Sequence, residues 1–506
     1  MNSIMFEKEK DDESTLKEIK KSLKSGLKTI RESFKSERVR RSFYLALTTL
    51  IMLVLSFLLA FIIFPHESNK IFIEIVFTVI GTVFALLFTF EIFYPRYINA
   101  EKYRLSKPDE CVAFYEDKLV VDSQDDLMID LRDIRERAKK VIGECPLQDR
   151  KLKKIFPDKI PIVLEYKPKN SLLEIDKDSV VIHLYNRIYT LPKEIELFYE
   201  PIRDKLNREF LMEGHFNRLK VRLENYHEEN NRLKLKLSRT SYYNTFITNF
   251  SADFWPYGSD KVTLREEFHH LLFRNGRLVP LGESPFSDHL GGGGLIITSD
   301  GKTLLPKRNL KVAVSVNTLD NSFGGSFDLV DFYDDEVQFP LATESPSYQT
   351  IKNQIEKKLV LSGEQLKKAV INQLRDEIKF KKKDKELKIK KLYLLGIVRN
   401  LIWLGKPDFL FIALTDSLSE KEIETSIEEF KYLDNPIIDI GTKEIEKISN
   451  VKDIFQKEIL STILDKLIYN IYRRCNFRTK PSLGLLTLVY LLNEIEKIEI
   501  KKKNRV

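Results

Sequence analysis

Two stretches of the chain run without polar interruption. Residues 43–64, FYLALTTLIMLVLSFLLAFIIF, carry no charge over 22 positions. As a helix rising 1.5 Å per residue they would span about 33 Å, enough for a bilayer core. A second run extends from Ile71 to Tyr94, with its two acids, Glu74 and Glu91, near its ends. Only Pro65–Lys70 separates the two. The pattern predicts a membrane α-hairpin of two transmembrane helices over 43–95. Lys17 to Arg41 holds ten Lys/Arg, and Arg96, Lys102, Arg104 and Lys107 follow the second run, while the link has only Lys70. The positive-inside rule then puts both termini of this multi-pass protein in the cytoplasm. Leu16, Ile19, Leu23, Leu27, Ile30 and Phe34 form one apolar stripe in residues 1–42. That stripe predicts an amphipathic helix lying on the inner leaflet or packing on sister subunits. Gly81 and Ala85 would allow two spans to approach closely.

Beyond the hairpin the pattern becomes that of a cytosolic α/β body. Residues 96–240 read as a small connecting domain. Its strand-like runs are 111–122, 160–166 and 179–191, with a helix at 131–142. A helix is expected over 193–216. Leu219, Val221 and Leu223, then Leu233, Leu235 and Leu237, alternate with polar residues around Asn230-Asn231. Period-two alternation about a polar turn predicts a hairpin. From 241 to 506 glycines and turn pairs multiply. GGGGLII (291–297) leads into an Asp300-Gly301 turn and a second strand. Residues 391–403 and 408–415 read as strands, and 363–380, 419–431, 450–473 and 482–500 as helices.

Composition narrows the chemistry. The 83 basic and 75 acidic residues leave a net charge of +8. That is too mild for a nucleic-acid coat, so no nucleic-acid polymer is expected as a partner. Cys111, Cys145 and Cys475 have no paired spacing and read as free thiols. His269-His270 are adjacent, so neither a helix nor a strand aims both at one ion. Seven lysines crowd 381–391 and read as a solvated surface or an anion-attracting patch.

The chemistry concentrates on GEQLKKAVINQLRDEIKF (363–380). This segment resembles the helix of Nudix proteins. Ala369 and Leu374 match its structural positions, Gly363-Glu364 its leading pair, and Asp376-Glu377 its paired glutamates. Its Arg-Glu pair is Asn372-Gln373 here, and its final glycine is Lys379. Residues 287–309, with Lys307 and Arg308 after a strand pair, resemble the first Nudix strands, and 391–414 the later ones. The resemblance implies a degenerate Nudix-like α/β/α sandwich over 241–506. Hydrolysis in that family needs carboxylates on one helical face to bind hard divalent cations. Gln373 removes one such charge, so the expectation is binding without catalysis and no cofactor. If activity were retained, Glu364, Asp376 and Glu377 would be the catalytic acids, with Asp376 and Glu377 holding magnesium.

With two spans in front, the chain resembles the SMODS-associated Nudix family, the TM-NUDIX effectors of CBASS antiphage systems. The resemblance implies a bacterial membrane effector. Its Nudix-like domain would sense a cyclic oligonucleotide made by a partner synthase. The protein would then oligomerise and disrupt inner-membrane lipid through its spans. Ligand contacts are expected from Lys307, Arg308, Gln373 and the amides of Gly291, Gly292, Gly293 and Gly294. Tyr242, Tyr243, Phe254 and Trp255 read as base-stacking rings or as core. An active membrane-bound nucleotide diphosphate hydrolase and a non-enzymatic membrane scaffold are the alternatives.

Overall fold

The computed structural model describes residues 108–118, 127–143, 146–169, 172–200, 218–254, 262–308, 318–332, 358–379, 386–417, 422, 430–431, 437–439, 457–476 and 479–503. Two sheets organise them. The main sheet begins with β1 (Ile162–Tyr166) and β2 (Leu173–Glu174) and the second with β3 (Val180–Ile188). The hairpin β4 (Leu219–Glu229) and β5 (Arg232–Ser241) follows, then β6 (Gly291–Thr298), β7 (Phe323–Ser326) and β8 (Lys358–Ser362). β9 (Ile389–Asn400) and β10 (Lys406–Thr415) complete the set.

The main sheet runs β7-β6-β10-β9-β1, with β2 also on β9, and the second runs β8-β3-β5-β4. β6 and β10 are parallel, in register from Gly291 opposite Asp408 to Thr298 opposite Thr415. Every residue of β6 is buried. A parallel strand covered on both faces reads as such a continuous apolar run. In β5, by contrast, Leu233, Leu235 and Leu237 point inward and alternate with lysines, the pattern of a sheet packed on one face. Asn230 and Asn231 turn the hairpin at φ of 52° and 58°. Asparagine tolerates this left-handed pair, which sets the strand twist of a tight hairpin.

The helices cover the sheets. They are α1 (Pro108–Lys118), α2 (Arg132–Ile142), α3 (Pro146–Ile155), α4 (Lys193–Tyr199), α5 (Tyr242–Ile247), α6 (Leu264–Leu272), α7 (Gly363–Glu377), α8 (Lys457–Arg474) and α9 (Leu483–Lys503). Leu295 and Ile297 of β6 pack with Leu410 and Ile412 against Leu467 of α8 and Leu488 of α9. On the opposite face, Ile296, Phe409 and Phe411 meet Leu366, Val370 and Leu374 of α7 and the leucines of the second sheet. Ser362 caps α7 in a reciprocal box with Gln365, which satisfies two otherwise orphaned donors.

Four sequence expectations need comment. The membrane hairpin, and with it the multi-pass inner-membrane placement, is not upheld: among the described residues no helix is long and apolar enough to cross a membrane. The architecture found is mixed α/β with several sheets. The longest described helix, α9, has 21 residues, but it ends in Asn-Glu-Ile-Glu-Lys-Ile-Glu-Ile-Lys-Lys-Lys. Its second half carries more charge than a bilayer core accepts, and Glu496 there pairs with Arg137. The runs at 43–64 and 71–94 and the stripe at 16–34 lie outside the described residues. The strand expected at 111–122 is helix α1 over its described part. Pro108 opens it, Asp109 and Glu110 occupy its first turn, and Cys111 and Tyr115 bury one face four residues apart. The Asp300-Gly301 turn forms, with Gly301 at φ 68°. The strand after it, Lys302–Leu304, pairs with Ile437–Asp439 instead of folding back on β6. Finally, residues on both sides of 240 share sheets: β1 lies on β9 and β8 on β3. The described residues all fall in one compact unit.

Candidate functional site

The four glycines of β6 sit between two paired strands, so their backbone groups belong to ladders. What they lack in side chain is occupied by aromatic rings. A Cβ on Gly292 would meet the Phe327 ring at 2.6 Å, and one on Gly294 the Phe411 carbonyl at 2.5 Å and the Phe323 ring at 2.6 Å. Gly293 is closed by Asn321. Gly291 differs, because its empty side is filled by the paired ends of Lys406 and Asp408.

That pair belongs to a cluster the sequence did not announce. β4, the approach to β6, the segment after β7 and the turn before β10 meet at one end of the main sheet. Lys220 pairs with Asp328, whose other oxygen takes Arg218 at 3.1 Å. Among the described residues Lys220 and Lys406 are the two buried lysines, 5% and 3% exposed. Burying an ammonium is costly unless it is paired.

His289 lies in the same place and is fully buried. Its Nδ1 is 2.7 Å from Thr245 Oγ1, while its Nε2 has no partner among the described residues. Burial, and then the charges of Lys406 and Lys220, hold the imidazole pKa well below its usual value, so it is neutral at pH 7. An unpaired buried ring nitrogen costs about 1–3 kcal/mol.

Aromatic rings cover the cluster. Tyr242 stacks on His289 with centroids 6.4 Å apart, and Phe250 meets the same ring edge-on at 5.6 Å. Phe250 in turn touches Trp403 at 5.3 Å. Lys220 Nζ lies 5.8 Å from the Tyr242 ring centre and Lys406 Nζ 5.4 Å from that of Trp403. Tyr242, Phe250 and Trp403 are each partly exposed.

α7 reaches this cluster through two aspartates. Asn372 Nδ2 donates to Asp331 Oδ1 at 3.2 Å, and Asp331 Oδ2 accepts the Asp328 backbone N–H at 2.9 Å. Burial raises the Asp331 pKa, an effect that the Asn372 bond opposes. Next to Asn372, Gln373 is 7% exposed and packs beside Gly325, with neither amide atom partnered among the described residues.

The remaining predicted residues are dispersed. Glu364 is exposed in the first turn of α7, and Asp376 and Glu377 end it. At 1.5 Å per residue those ends are roughly 18–20 Å apart, too far to share an ion. Among the described residues no group of three His, Cys, Asp or Glu is arranged to hold a metal. Arg308 is taken by Asp320 at 2.6 Å, and Lys307 sits on a short ladder with Lys431. Phe254 stacks on Tyr199 in the core at 6.0 Å, and Trp255 lies outside the described residues. His269 and His270 close α6, with His269 Nδ1 2.9 Å from the Glu266 carbonyl oxygen. Cys111 is a buried free thiol whose pKa burial pushes up to about 11. The chain matches no protein-family model. It matches no curated protein sequence either.

Proposed function

We propose that this chain binds a nucleotide-type messenger without hydrolysing it, the sensing role implied by its resemblance to Nudix-like antiphage effectors. One observation carries the reading. Where a Nudix helix needs a metal-binding glutamate, α7 has the neutral amide of Gln373, buried at 7% exposure. An amide neither neutralises a magnesium ion nor holds it against a diphosphate. The other acids of that helix, Glu364, Asp376 and Glu377, sit at its two ends. A cyclic oligonucleotide from a partner synthase is the ligand class this reading favours. The membrane-disrupting output does not belong to it, because that output rested on the hairpin.

The test uses the full chain. Calorimetric titration against cyclic di- and trinucleotides is expected to give saturable binding. Incubation with diphosphate-linked dinucleotides and magnesium is expected to give no turnover. Turnover that is abolished by Glu377→Gln would overturn the reading in favour of a hydrolase.

A further inference from the structure

We infer that the Lys220–His289–Lys406 cluster, with the rings of Tyr242 and Trp403 over it, is the binding site for a phosphorylated aromatic base. This deepens the nucleotide-sensing reading and rests on it for the ligand class, but not for the location.

Three observations converge. First, the two buried lysines among the described residues stand together although 186 positions separate Lys220 from Lys406 in the chain. Lysine is a compact point charge suited to phosphate. An ammonium has three N–H donors, and among the described residues Lys406 gives a hydrogen bond only to Asp408. Second, His289 offers a fully buried Nε2 with no partner among the described residues. That nitrogen can donate to a phosphate oxygen or accept from a ligand hydroxyl, according to tautomer. Third, Tyr242 and Trp403 each combine a partly exposed ring with a nearby lysine ammonium. A nucleotide needs the same combination, a π-face for its base beside cations for its phosphate.

Gly291 fits this arrangement. Any side chain there would occupy the space of the Lys406–Asp408 pair. The phosphate would lie against Lys406 and His289, with the base stacked on the Tyr242 or Trp403 ring. Asp328 and Asp408 would keep the lysines aimed.

Titration of the full chain with two probe sets tests the site, one of cyclic di- and trinucleotides and one of ADP and GDP. Tyr242→Ala, Lys406→Gln and His289→Gln are compared with Lys153→Ala on the exposed surface, and circular dichroism confirms that each folds. Tyr242 is partly exposed, so its truncation spares the core. Loss of one base-stacking ring is expected to weaken binding about 5- to 150-fold. Lys153→Ala should leave affinity unchanged. If the wild type binds a cyclic oligonucleotide and the folded site variants bind it equally well, the site is wrong and the sensing reading stands. If only ADP or GDP binds, with the same dependence on Tyr242 and Lys406, the site stands and the cyclic-messenger reading falls. Binding of neither set overturns both.

Discussion

Replacing Gly294 and Gly291 in turn by alanine separates packing from binding within one strand. At Gly294 the new methyl would stand 2.5 Å from the Phe411 carbonyl oxygen and 2.6 Å from the Phe323 ring. That carbonyl belongs to β10, locked between β6 and β9, and Phe323 is fully buried. Neither obstacle can yield. Overpacking of this kind costs about 1–3 kcal/mol, and two rigid contacts place Gly294→Ala near the top, at about 3 kcal/mol. At Gly291 the obstacles are the ends of Lys406 and Asp408. These are flexible tips, and Asp408 is 21% exposed. They can shift together and stay paired, so the loss stays at the low end of overpacking, about 1 kcal/mol. The shift, however, moves the Lys406 ammonium away from its place beside Trp403. The two variants should therefore show opposite signatures. Gly294→Ala loses stability while its folded fraction keeps ligand affinity, and Gly291→Ala keeps most of its stability while affinity falls. Urea denaturation and calorimetry on the same preparations measure both quantities. Equal stability losses would refute the packing account, and an affinity loss confined to folded Gly294→Ala would restore the glycine amides as the ligand cradle.

Three further outcomes follow from the same geometry. His289 is neutral when folded, but in the unfolded chain it takes a proton near pH 6.5; its contribution is therefore complete above that value and is lost as pH falls below it. The loss should approach about 1.4 kcal/mol per pH unit, and an equal slope for wild type and His289→Gln in urea melts at pH 7.5, 6.5 and 5.5 would count against it. Asn231→Val forces a β-branched residue to φ near 58° and should cost about 1–2 kcal/mol, whereas Asn231→Gly should cost nothing; a stable valine variant would contradict the turn geometry. Gln373→Glu buries a carboxyl without a partner among the described residues, so it should lower stability by about 1–3 kcal/mol and create no magnesium-dependent hydrolysis; new turnover would show that one carboxylate was all the helix lacked.

Local order was legible where one face of an element meets water. The leucine alternation of β5 and the Asn-Asn turn sufficed for the hairpin, and the helical pattern over 363–380 for α7. Sheet neighbours were not legible. β1 joins β9 across more than two hundred residues, and β8 joins β3 across nearly as many. Such pairings leave no local signature, because a strand carries the same pattern whichever strand it meets. That is why residues 96–240 read as a separate domain although their strands build sheets with residues beyond 358. α1 was misread for a related reason. CVAFYEDK has the aromatic and β-branched content of a strand, and the buried pair Cys111–Tyr115, four apart, outweighed it.

The site was hidden by the same alternation that revealed the hairpin. In Leu219-Lys220-Val221-Arg222-Leu223 a period of two assigns the basic residues to the solvent face. In the structure β4 is buried on both sides there. Lys220 bridges to Asp328 and Arg222 to His289 on neighbouring segments, and Leu290 donates to the Val221 carbonyl oxygen at 2.8 Å. Polar residues on a doubly covered strand must be paired or used. Lys220 and Lys406 are paired, and the unpartnered His289 nitrogen beside them marks what pairing alone leaves unexplained. The glycine run misled in the opposite direction. It looked like a phosphate cradle, but three of its four positions are glycine because Phe323, Phe327, Phe411 and Asn321 need the space. Only Gly291 borders the charged cluster. A sequence shows that a glycine is small, and the packing around it decides whether a ring or a ligand uses the room.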